Sequence, residues 1–169
     1  MLEDLGMQAT TLDECDPGDL VRILGPGGGN YALVAHVAKA PEERWMIHLT
    51  EAGVHAERRD HRFPIWVLRH QGMVRLSVDH DEKVETMPVR MFAMSGVVAV
   101  TSTGAFLNSS WPQNGGMVQV GIPSGILERY SENLTGCFFG KWSITFVPKP
   151  ETERPNVEIF SYEVAPAGR

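Results

Sequence analysis

Short apolar or alternating runs, separated by clusters of Gly, Pro, Asn and Asp, dominate the chain, and this punctuation predicts strands. The turn Asp16-Pro17-Gly18-Asp19 leads into a strand over residues 20–24. A glycine-rich loop over residues 25–30 follows, then a second strand over 31–37. Residues 45–49 read as a third strand, with Trp45, Ile47 and Leu49 on one face and Met46 and His48 on the other. Residues 51–62 read as a polar loop, 63–68 as a fourth strand and 73–78 as a fifth. The charged run 79–83 is the best candidate for a module boundary.

Beyond it, strands are expected over residues 97–101, 117–122, 138–147 and 157–164. Over 138–147, Phe138, Gly140, Trp142, Ile144 and Phe146 alternate with Lys141, Ser143 and Thr145, the period-2 pattern of a half-buried strand. One stretch reads as helix: residues 124–134 place Ile126, Leu127, Tyr130 and Leu134 on one stripe, with Gly136 as a stop. Residues 103–116 read as a long Gly-, Asn- and Ser-rich loop carrying Trp111 and Pro112.

Pro17-Gly18-Asp19-Leu20-Val21-Arg22-Ile23-Leu24-Gly25-Pro26, then Gly29, Val34 and Val37, form a Gly-Asp that opens a strand, a glycine-rich hairpin and a second strand. Residues 17–37 thereby resemble the KOW motif of SH3-like small β-barrels. The resemblance implies a barrel that binds RNA, DNA or protein through its loops and one open face, and that rarely catalyses. The expected fold is all-β. An SH3-like small barrel with an N-terminal arm occupies residues 1–78. A second antiparallel β-module, a sandwich or an extension, occupies 79–169, either as its own domain or packed as one unit with the first, with at most one short helix.

Composition changes this picture little. The 169 residues are 43% hydrophobic and 21% charged, enough for a buried core. The formal net charge is -6, and the excess of acid is even, at 11 acidic against 8 basic side chains before Asp79 and 10 against 7 from there on. Neither half is electrostatically drawn to a polyanion as a whole. The acidic start Met1-Leu-Glu-Asp does not read as a signal peptide, and no apolar run approaches the roughly 20 residues of a membrane helix. The expected location is the cytoplasm, or a virion if the protein is viral. Cys15 and Cys137 read as free structural thiols, the latter buried in the 138–147 strand.

Candidate chemistry is sparse. His55, Glu57, Asp60 and His61 are metal-capable, but their spacing matches no standard site and Arg58 and Arg59 would repel a cation. Asp79, Asp81 and Glu82 lack the central glycine and distal glutamate of an EF-hand loop. Gly27-Gly28-Gly29 precedes a strand, unlike a P-loop. No Gly-x-Ser-x-Gly occurs. No metal, cofactor or catalytic role is expected.

Two surfaces remain as partner-binding candidates. Trp111, Pro112 and Asn114 sit in the long loop, where an exposed Trp could anchor a protein. Arg58, Arg59 and Arg62 open a basic stretch reaching Arg75, interleaved with Phe63 and Trp66, that could meet nucleic acid. The first expectation is a non-catalytic structural or assembly protein working by protein–protein contact, such as a phage capsid, neck or tail subunit. The alternative is a nucleic-acid-binding small barrel, which the net charge disfavours.

Overall fold

The computed structural model describes residues 7–25, 28–60, 62–68, 72–79, 94–131, 136–150 and 155–164. Every regular element among them is a strand, apart from one 3-10 turn at Leu12–Glu14. The elements are β1 (Gln8–Thr11), β2 (Leu20–Gly25), β3 (Gly28–Val37), β4 (Ala40–Thr50), β5 (Gly53–Arg58), β6 (Pro64–Val67) and β7 (Gly72–Val78). After them come β8 (Val98–Thr101), β9 (Gly104–Trp111), β10 (Gly116–Ile122), β11 (Ile126–Arg129), β12 (Gly136–Phe139), β13 (Lys141–Pro148) and β14 (Val157–Glu163). The all-β reading holds.

Six strands close into a barrel, in the order β3–β4–β5–β9–β10–β11 and back to β3. Four of its joints are antiparallel. The two that close it are parallel: His55 opposite Ser110 between β5 and β9, and Ile126 and Leu127 opposite His36 and Val37 between β11 and β3. Alternation supplies the filling. Leu33, Ala35, Trp45, Ile47, Leu49, Val54, Ala56, Leu107, Val118, Val120 and Leu127 belong to one buried cluster. The barrel thus draws three strands from each side of Asp79, whereas the sequence places a small barrel within residues 1–78. Asp81, Glu82 and Lys83 of the expected boundary lie outside the described residues, as do His61 and Arg69.

Closure through β11 depends on a close approach of two turns. Gly18 and Gly125 both hold positive φ, +90° and +65°. A Cβ on Gly18 would fall 2.0 Å from the Pro123 carbonyl oxygen, and one on Gly125 would fall 2.2 Å from the Gly18 nitrogen. Gly18 N–H donates to Val34 O at 2.8 Å, and His36 N–H donates to Gly125 O at 3.0 Å, so both turns are tied to β3.

Two further layers surround the barrel. β2, β6 and β1 extend the sheet beyond β3, and their apolar side covers the outer face of β3 and β4. Leu12, Cys15, Val21, Ala32, Val34, Met46, Ile65 and Val67 form this second cluster. β7, β13 and β14 make a separate three-stranded antiparallel sheet, with β13 in the middle. Its inner side chains Trp142 and Ile144 join the barrel's own cluster, with Leu76, Val78, Phe160 and Tyr162 packed against it.

Five expectations need correction. Residues 126–129 are a strand, not part of a helix, because β10 and β3 offer them ladders on both sides that outweigh a short helical stripe. Residues 104–111 are a strand, so the long loop 103–116 shrinks to the turn 112–115 between β9 and β10. Its polar residues Asn108 and Ser109 are fully buried, with Gln119 Nε2 donating to Asn108 Oδ1 at 2.9 Å. The polar loop 51–62 contains β5, whose Val54 and Ala56 point inward between outward His55 and Glu57. The expected strand 138–147 is also broken at Gly140 into β12, which pairs with β8, and β13. Cys15 is buried, whereas Cys137 is half-buried.

Candidate functional site

The feature that stands out is the three-stranded sheet, which is finished on one face and open elsewhere. β13 sets the pattern: Trp142, Ile144 and Phe146 are buried, and Lys141, Ser143 and Thr145 are half-buried on the other side. Registers extend this into rows. Ser143 stands opposite Ser77 on β7 and Ser161 on β14, and Lys141 stands opposite Glu163. In β14 the pairing shifts so that Ile159 is extra, a bulge that keeps both Val157 and Phe160 opposite inward-facing partners on β13.

The outer face forms a shallow groove of ≈ 420 Å³, lined by Ser77, Asp79, Lys141, Ser143, Glu158, Ser161 and Glu163 among others. Lys141 Nζ lies 3.7 Å from Asp79 Oδ2 and 3.8 Å from Glu163 Oε2. All three side chains are more than a third exposed, so these contacts orient the groups and stabilise little. Among the described residues, neither β7 nor β14 pairs with a second strand, so each presents a row of backbone donors and acceptors. β7 also exposes apolar side chains, Met73 at 61% and Val74 at 37%.

The sheet is held rigidly. Trp142 Nε1 donates to Gly96 O at 2.6 Å, and its ring meets Phe160 at 5.6 Å and Tyr162 at 5.5 Å between centroids. Burial pushes the Tyr162 hydroxyl above its usual range. The sheet thus has one face anchored on the barrel and two outer strands that pair only with β13 among the described residues.

Comparison with protein-family models, curated proteins and solved structures finds no match.

A second polar cluster lies on the barrel wall. His48 and His55 stack at 4.6 Å between centroids, 5° from parallel. His48 Nε2 lies 3.0 Å from Glu57 Oε2, a contact that becomes an ion pair only when the imidazole is protonated. Arg59 Nη2 approaches the same Glu57 oxygen at 2.8 Å. Burial, then the neighbouring His55, hold the His48 imidazole below its ordinary pKa, against the pull of Glu57. Among the described residues, no group of three or more His, Cys, Asp or Glu side chains is placed to hold a metal ion.

The residues singled out from the sequence are dispersed. Trp111 ends β9 half-buried, edge-on to Trp45 at 5.2 Å and 81°, so its ring belongs to the core and is not displayed on a loop. Pro112 and Asn114 are exposed on the turn that follows. Arg58 Nη2 meets Glu43 at 3.3 Å, and Arg59 is shared between Glu57 and the Phe63 ring, 5.0 Å from its centroid. Arg62 is exposed beside Asp60, which accepts its backbone N–H at 2.8 Å. The arginine stretch is thus interleaved with acids. Trp66 faces outward at 39% exposure while Ile65 and Val67 enter the core. The open edge at β7 went unmarked in the sequence, although alternation of Met73, Arg75 and Ser77 with Val74, Leu76 and Val78 was there to read. No helix among the described residues is long and apolar enough to cross a membrane.

Proposed function

We propose that this chain is a non-catalytic structural or assembly protein that acts through protein–protein contacts, as an accessory subunit of a larger particle such as a virion. The observation that carries the reading is the open sheet: a groove of short polar side chains between two strand edges that are unpaired among the described residues, fixed to a closed barrel. Main-chain groups along such an edge give affinity by strand addition, and alternate side chains give specificity. The likeness of residues 17–37 to SH3-like, KOW-type modules supports the same reading, since those barrels work by binding.

The test is the native size of the full chain in extracts of cells that produce it, followed by light scattering on the purified protein. The reading expects the chain to travel in a particle larger than one copy. A strictly monomeric chain in extract and in pure form contradicts it. So does salt-sensitive nucleic-acid binding that weakens when Arg58, Arg59 and Arg62 are replaced, because that would transfer the function to the arginine stretch.

A further inference from the structure

We propose that the partner of the β7 edge is a second copy of this chain, joined antiparallel about a two-fold axis at Ser77 to make a continuous six-stranded sheet. The proposal rests on the assembly reading and names its contact.

Backbone parity limits the registers. Asp79 N–H donates to Lys141 O at 3.0 Å, so Asp79, and by alternation Ser77 and Arg75, direct their backbone groups toward β13. Val74, Leu76 and Val78 therefore direct theirs to the edge that carries no partner strand among the described residues. A two-fold pairing through those groups can centre on residue 75, 76 or 77. Centring on 75 sets Arg75 against its own copy. Centring on 76 sets Arg75 opposite Ser77 and Met73 opposite Asp79. Centring on 77 sets Arg75 opposite Asp79 twice, once on each side of the axis, and Leu76 opposite Val78. These odd-numbered residues then form non-hydrogen-bonded pairs, in which facing side chains come closest. Charge complementarity selects the register centred on Ser77.

The far edge does not offer this. β14 carries Glu158, Ser161 and Glu163 on the same face and no basic residue, so no self-pairing register there sets a cation against a carboxylate.

The register is testable by cross-linking, because facing residues of a non-hydrogen-bonded pair have Cα atoms about 4.5 Å apart, within disulfide range. In a Cys137→Ser background, Ser77→Cys and Ser161→Cys are compared under mild oxidation. Ser77→Cys is expected to give a covalent dimer and Ser161→Cys to stay monomeric. Light scattering on the purified wild-type chain is expected to rise to twice the mass of one chain, and Arg75→Glu to weaken that association at least about tenfold by facing a carboxylate with a carboxylate. Equal cross-linking of the two variants, or a wild-type chain that stays single at every concentration, overturns the proposal. If that single chain still travels in a larger particle in extract, the self-pairing alone has failed. If it is single in both, the assembly reading has failed with it.

Discussion

The closed barrel and the open sheet share one hydrophobic cluster but treat their backbones in opposite ways. In the barrel every strand has a neighbour on both sides, so its polar main chain is spent internally and its wall can bury Asn108 against Gln119. In the β7–β13–β14 sheet only the middle strand has a neighbour on both sides among the described residues. On the proposed reading closure makes a scaffold and openness makes a contact surface, and the common core joins the two.

The strongest way to break this comparison is to separate the two regions. Trp142→Ala removes a fully buried ring and its bond to Gly96, and should cost about 3–5 kcal/mol in urea denaturation. Far-UV and tryptophan signals should still shift together, because the sheet and barrel share a core. Two resolved transitions would show that the sheet is an independent unit.

A smaller effect sharpens the barrel side. Gln119→Met withdraws the donor from buried Asn108 and should cost about 1–3 kcal/mol, against a near-neutral change for the same swap at a solvent-facing polar site.

The wall histidine gives a pH signature. Its folded pKa lies below the ordinary value of about 6.5, so the unfolded chain takes up the proton first as pH falls. The stability it contributes is full above that value and is lost as pH drops through it toward the depressed folded pKa. The urea midpoint should therefore fall between pH 7.5 and pH 5, and His48→Gln should flatten that part of the profile. An unchanged slope would mean that His48 is not what titrates.

The smallest effect is expected on the open face. Ser143→Ala lies in the groove and should change stability by less than about 0.5 kcal/mol, since the hydroxyl serves no buried partner. A larger loss would mean that the groove is part of the folded core.

Much of this fold could be read from the sequence. β2, β3, β4, β6 and β7 fall where alternation and turn residues place them, and the inward set Trp45, Ile47, Leu49 is as the period requires. What escaped was set by distant partners. β11 is four residues long and carries a helix-compatible stripe, and only its neighbours β3 and β10 decide the matter. β9 is polar because its Asn108, Ser109 and Ser110 bond within the fold, which looks like loop composition in one dimension. The parallel joints that close the barrel link residues 55 with 110 and 36 with 126, separations no local pattern encodes. The candidate site was hidden for a related reason: an unpaired edge is a property of the strand that is not beside it.

The most direct measurement is backbone amide exchange of the full chain by NMR, dilute and concentrated. The account predicts that the Val74, Leu76 and Val78 amides gain protection with concentration while barrel amides such as Ile47 and Leu107 stay slow throughout. Edge amides that exchange equally fast at both concentrations, or protection that grows in the barrel instead, would contradict it.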